Sequence, residues 1–183
     1  MIQSNHKEQM EELKKSNFDS RFYSLVYYKN DLLNAIKVKD HQSVETSGLQ
    51  VFDDISSFFI TELSKFDKEI DLNILKTHYH EYLVKINNKK AVLSIYSYFK
   101  IYKSIYLLVD NAGLTDKEKN LYMNVLKGLI STSEQMLLFF IAPLYPDLLE
   151  DFRGREIFNN FKINNVSQYI DQFYDASYFN LES

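Results

Sequence analysis

The chain has no cysteine, which excludes disulfides, thiolate nucleophiles and cysteine-held zinc or iron–sulfur sites. Tryptophan is also absent, and 183 residues include only two prolines and four glycines. Turn punctuation this sparse disfavours many short strands and favours long helices. The run "MIQSNHKEQMEELKK" is charged from its start and lacks the apolar centre of a signal peptide. No G-x-G-x-x-G, P-loop or G-x-S-x-G motif occurs. None of the three arginines, Arg21, Arg153 and Arg155, is followed by histidine at the Arg-x4–6-His spacing of some helical nucleases. The reading is therefore a chain with no recognised catalytic constellation, cofactor or metal, with an enzyme of unrecognised site as a further alternative; the expected location is cytoplasmic, with which the lack of cysteine is compatible.

What is abundant is apolar and aromatic: 45% hydrophobic residues, with fourteen tyrosines and fourteen phenylalanines. A buried tyrosine hydroxyl needs a partner, so a core with hydrogen-bonded polar groups is expected. Charge is uneven. Residues 76–127 hold nine basic against four acidic side chains, a net of +5, while residues 128–183 hold three against eight, a net of −5. A basic middle of this kind can meet phosphates. The simpler expectation is that it faces acidic segments of its own fold or of a partner.

One all-helical domain, 1–183, is predicted. Residues 5–38 form a long first helix, with Met10, Leu13, Phe18, Phe22, Leu25, Leu32 and Ile36 on one stripe. Residues 1–16 are expected to be exposed or frayed. Val38–Gly48 reads as a loop and Leu49–Phe66 as a helix with Val51, Phe52, Ile55, Phe58, Phe59 and Leu63 inward. Asp71 is placed to cap a third helix. The segment 91–111 is apolar over most of its circumference, apart from a strip of Ser94, Ser97, Lys100 and Ser104. Gly113 is expected in a left-handed conformation at its end. "TDKE", Thr115–Glu118, is a capping box opening a helix that runs to about Ala142, where Pro143 and Pro146 stop it. Helices 91–111 and 116–142 then form a central antiparallel hairpin within a bundle. Neither reads as a membrane span, because a span needs about 20 apolar residues and polar side chains interrupt both. The acidic C-terminal part reads as short helices broken near Gly154 and Asn164–Asn165.

Candidate chemistry is thin. The imidazoles of His78 and His80 point apart on a helix, so they do not share a metal. Asp53/Asp54 and Glu150/Asp151 read as solvated surface pairs. Lys127 and Glu134, one heptad apart, share a helix face, with a polar contact to a tyrosine expected. Tyr98, Tyr102 and Tyr106 beside Lys100 and Lys103 offer either a base-stacking strip or core packing.

The two central helices resemble those of the phage abortive infection protein family, the AbiC-like proteins. "YFKIYKSIYLLVD" (Tyr98–Asp110) is similar to a family helix reading Tyr-Phe-Arg-x-Leu-Tyr-x-Ile-x-x-x-Ile-Asp. "EKNLYMNVLKGLISTSEQMLLFF" (Glu118–Phe140) is similar to a helix holding Glu-x-x-x-Tyr-x-x-x-Leu-Arg, then a Glu and a leucine- and phenylalanine-rich run. "NFDSRFYSLVYYKNDLL" (Asn17–Leu33), "SGLQVFDDI" (Ser47–Ile55) and "REIFNNF" (Arg155–Phe161) extend the likeness in the same order. It departs where the family's arginines stand as Lys100, Lys127 and Leu49; lysine keeps the charge but not the bidentate fork. The N-terminal membrane helices of many relatives have no counterpart in this sequence.

The resemblance implies a helical interaction or sensor module of a bacterial anti-phage system that works by protein contact. Its motif positions are Phe22, Tyr98, Phe99, Lys100, Asp110, Tyr122, Lys127 and Glu134. The alternative is a nucleic-acid-binding module using residues 76–127. A protein partner is expected, and the stripe ahead of Phe18 is suited to helix-mediated self-association.

Overall fold

A computed structural model describes residues 2–39, 44–65, 71–85, 89–158 and 172–179. Over the described residues the protein is an all-α bundle with one small hairpin, the class that its sparse glycine and proline favour. Helix α1 spans Ile2–Ala35, followed by strands β1 (Lys37–Lys39) and β2 (Glu45–Ser47). Next come α2 (Leu49–Leu63), α3 (Leu72–Lys85), α4 (Lys89–Asp110), α5 (Asp116–Leu129) and α6 (Thr132–Ile141). A 3₁₀ turn at Ala142–Leu144 leads into α7 (Pro146–Phe152), and a second covers Ala176–Tyr178.

The segment read as a loop contains the antiparallel pair β1–β2, with Val38 opposite Thr46. Val38 points into the core while Lys37 and Lys39 reach outward to Glu45. Gly48 follows at φ 59°, a left-handed conformation that spares glycine a Cβ penalty, and its N–H bonds back to the Ile36 carbonyl at 3.0 Å. Gly113 is not in that conformation, so helix α4 ends without the expected left-handed glycine; among described glycines only Gly48 and Gly154 have positive φ.

Helix α2 buries the row that its spacing indicates: Val51, Phe52, Ile55, Phe59 and Leu63, with Phe58 half-buried against Tyr82. The Asp71 carboxylate accepts from the N–H groups of Asn73 and Ile74, both at 2.8 Å, and so caps α3. On α4, Ser94, Ser97 and Ser104 lie outward, while Ile95, Tyr98, Phe99, Tyr102, Ile105, Tyr106 and Val109 are buried. The break expected at Asn164–Asn165 lies outside the described residues.

The main correction concerns 116–142. Helices α4 and α5 are joined through residues 111–115 and touch one another, and Thr115 makes the capping box with Glu118. The second arm is not continuous, however. Ile130 is extended, and α5 and α6 meet at 91°. The reason is a second capping box: the Ser131 hydroxyl accepts from the Glu134 N–H, and the Glu134 carboxylate accepts from the Ser131 N–H at 2.7 Å. The chain therefore starts a new helix at Ser131. α6, rather than α5, is the buried rod, with Glu134, Gln135 and Leu137–Ile141 all out of water.

The most extensive packing is α6 on α2 and α1 on α4. Phe59 stacks on Phe140 at 5.2 Å between ring centroids, and Phe139 stacks on Tyr174 at 5.0 Å. No single described helix is long and apolar enough to cross a membrane; α5 and α6 with the following turn reach that composition only together, across the right-angled bend.

Candidate functional site

The buried row of α1 carries a charge. Phe18, Phe22, Val26 and Lys29 follow at steps of four, four and three, hence on one face, and all four are buried. The Lys29 ammonium lies 2.9 Å from Glu134 Oε1 and donates to the Leu129 carbonyl at 3.2 Å. The same Glu134 oxygen accepts from the hydroxyls of Tyr98 and, at 2.6 Å, Tyr102. Its other oxygen accepts from the Ser131 amide. The ammonium also sits over the Tyr102 and Tyr98 rings, 5.4 and 5.9 Å from their centroids. One carboxylate thus ties α1, α4 and the start of α6 together.

Protonation follows from these contacts. Burial pushes the Glu134 carboxyl up, but the Lys29 charge, the two phenols and the Ser131 amide outweigh it and hold it below the ordinary carboxylate value. Burial, with the Glu134 charge beside them, raises the Tyr98 and Tyr102 phenols well above theirs. At neutral pH the group is a carboxylate, an ammonium and two neutral donors. A general base needs a lone pair within reach of a substrate proton. Here both oxygens are occupied and Glu134 is 2% exposed, so the arrangement fastens helices.

The other motif positions lie elsewhere. Phe99 packs between Phe52 and Tyr98 in the core. Phe22 and Tyr122 meet at 5.0 Å where α1 faces α5, and the Tyr122 hydroxyl donates to Asp19. Lys100 bonds Asp147 at 3.1 Å and also Asp151, which in turn takes Lys103 at 2.7 Å. Asp110 receives a bidentate contact from Arg155 at 3.3 and 2.7 Å, with the guanidinium stacked over Tyr106. Lys127 pairs with Glu156 at 2.8 Å. The eight positions are therefore not one cleft. Tyr98, Phe99 and Glu134 share the core, Phe22 and Tyr122 share a seam, and Lys100, Asp110 and Lys127 pin the C-terminal segment.

Two expectations change with these contacts, and one open alternative is decided for core packing. Lys127 and Glu134 do not share a face, because the bend at Ser131 separates them. Asp151 is no solvated surface charge; its side chain is 6% exposed, held between two lysines. Tyr98, Tyr102 and Tyr106 are buried, which removes the base-stacking strip. Lys29 was missed, although its place seven residues after Phe22 on an apolar row was a visible signal. Ser131 was missed too, although "STSE" repeats the capping pattern of "TDKE".

No family model, curated protein or solved structure matches the chain.

Two exposed features remain. Tyr23, Tyr27 and Tyr28 on α1 are 45%, 68% and 52% exposed, and exposed aromatic side chains are favoured at protein interfaces. A groove of about 1280 Å³ opens between the first half of α1 and the α4–α5 corner. Among the described residues, no group of three or more histidine, aspartate or glutamate side chains is disposed to hold a metal.

Proposed function

We propose that the chain is a helical protein-contact module of a bacterial anti-phage, abortive infection type system, acting in the cytoplasm by binding a protein partner. The observation that carries the contact reading is the exposed tyrosines of α1: Tyr27, two-thirds exposed, stands one turn from Tyr23 on the same side, and Tyr28 is exposed about 100° further round. Tyrosine buries a large rigid area at low entropic cost and keeps a polar tip, which suits it to interfaces. The anti-phage part rests on the resemblance of "YFKIYKSIYLLVD" and "EKNLYMNVLKGLISTSEQMLLFF".

Each motif position is engaged within the fold, which suits these residues to holding the bundle and leaves partner contact to the exposed surface. Phosphate binding by residues 76–127 draws less support: Lys100, Lys103 and Lys127 of that stretch are paired with Asp147, Asp151 and Glu156.

The test is plaque formation by a panel of phages on cells expressing the protein or an empty vector. Reduced plaquing by at least one phage is the expected result. Unchanged plaquing across the panel removes the defence assignment.

A further inference from the structure

The groove between α1 and the α4–α5 corner holds charged donors that the fold does not use. Lys14, Asn17 and Arg21 line it from α1, at steps of three and four and hence on one edge of the helix. All three residues are exposed, and among the described residues neither Lys14 nor Arg21 enters an ion pair or hydrogen bond. At 1.5 Å per residue the two cations are rooted about 10 Å apart along the axis, so both long side chains reach a group placed over Asn17.

The acidic residues of the lining do not cancel this edge. One oxygen of Glu118 accepts from the Thr115 N–H at 3.0 Å and from its hydroxyl at 2.8 Å, and the other lies 3.6 Å from Lys15. Glu11 already has a partner. Glu12 stands two residues before Lys14, about 200° away round the helix. The complement of the edge is an anion, and a guanidinium with an ammonium beside it matches the several oxygens of a phosphate. The facing wall is mixed: Leu107 and Leu108 are apolar, Ser104 and Asn111 polar. Asn111 donates to the Leu107 carbonyl at 2.8 Å, which leaves its side-chain oxygen as an acceptor. A flat ring body that carries hydrogen-bonding groups fits this wall; an acyl chain would set Ser104 and Asn111 against hydrocarbon. The Lys15–Glu118 contact between α1 and α5 suits the space to a small molecule rather than a helix. About 1280 Å³ is ample for one, since small-ligand sites take roughly 300–1,000 Å³.

From this we infer that the groove binds a nucleoside phosphate, its phosphates on Lys14 and Arg21 and its ring body against Leu107 and Leu108. The site uses neither the exposed tyrosines nor the defence reading, and a plaque assay that removes that reading leaves it standing.

The experiment is isothermal titration calorimetry of the full chain with AMP, ATP, inorganic pyrophosphate and decanoate. At least one of the two nucleotides is expected to bind with Kd below about 1 mM, and more tightly than pyrophosphate, which has no ring body. Decanoate, an acyl carboxylate, is expected not to bind. Lys14→Ala, Arg21→Ala and Leu107→Asp are each expected to weaken the nucleotide at least about tenfold. Lys76→Ala, on α3 and outside the groove, is expected to leave its affinity unchanged. All four positions are exposed, and unchanged circular dichroism checks that each variant folds. Failure of both nucleotides to bind below about 1 mM overturns the inference. So does pyrophosphate that binds as tightly as the nucleotides, or full nucleotide affinity in Arg21→Ala. Decanoate that binds more tightly than either nucleotide overturns the ligand class.

Discussion

The Lys29 ammonium and the Glu134 carboxylate stand 2.9 Å apart with their side chains 4% and 2% exposed. Taking such a pair out of water costs several kcal/mol per ion, and the attraction offsets this only when the remaining valences are filled. Here the Leu129 carbonyl, two phenols and the Ser131 amide fill them. Removing one partner leaves the other charge stranded. Glu134→Leu is expected to lower stability by about 3–5 kcal/mol, while Lys29→Met/Glu134→Leu together cost clearly less than the single change. Urea unfolding of the two single variants and the double variant measures this; additive losses would show that the pair is not coupled.

Ser131 turns the chain. Its hydroxyl accepts the Glu134 N–H at 3.2 Å at the start of α6. Ser131→Ala is expected to cost about 1 kcal/mol, and Ser131→Asp, which retains an acceptor, less. Thermal melts of the two variants give the comparison.

Two pH limbs follow from the shifted groups. Folded Glu134 lies below its ordinary 4.5, so the unfolded chain takes up its proton first as pH falls. Its stabilising contribution is complete above that value and is lost as pH drops through the lower folded value. Tyr98, Tyr102 and Tyr106 lie above the ordinary 10.0, chiefly through burial. Their unfolded phenols ionise first, so stability is intact below pH 10.0 and declines as pH rises beyond it. Urea midpoints along both limbs, with phenolate absorbance on the alkaline one, are the check. Ionisation of all fourteen tyrosines without loss of structure would contradict the buried assignments.

Asp147 and Asp151 together pair with Lys100 and Lys103. Fluorescence anisotropy with labelled RNA is expected to show little salt-sensitive binding by the unmutated chain. Asp151→Asn, by freeing Lys103 while Asp147 still holds Lys100, is expected to steepen the log–log salt dependence by about 1. Strong salt-dependent binding by the unmutated chain would instead favour the nucleic-acid reading.

The helices were legible because their apolar spacing is regular and their punctuation scarce: the inward row of α2 and the caps at Asp71 and Thr115 stand where the sequence places them. The bend was not read because an unbroken apolar run from Met136 outweighed the local "STSE" signal, although a capping box tells the chain to restart. β1–β2 escaped for a different reason. Each strand is three residues long, too short for alternation to register. The candidate positions were harder. Spacing tells which residues share a helix face, but the partners of Lys100, Asp110 and Lys127 come from the C-terminal segment and depend on tertiary packing.

The central claim is that the motif positions hold the bundle while its exposed surface does the work. The most direct test is plaque protection by two variants whose folding is verified by thermal melt. Lys29→Met/Glu134→Leu, lacking the buried charges, is expected to protect as the unmutated chain does, and Tyr27→Ser/Tyr28→Ser, altered only at the surface, is expected to lose protection. A folded Lys29→Met/Glu134→Leu protein that no longer protects, beside a tyrosine variant that does, would contradict the account.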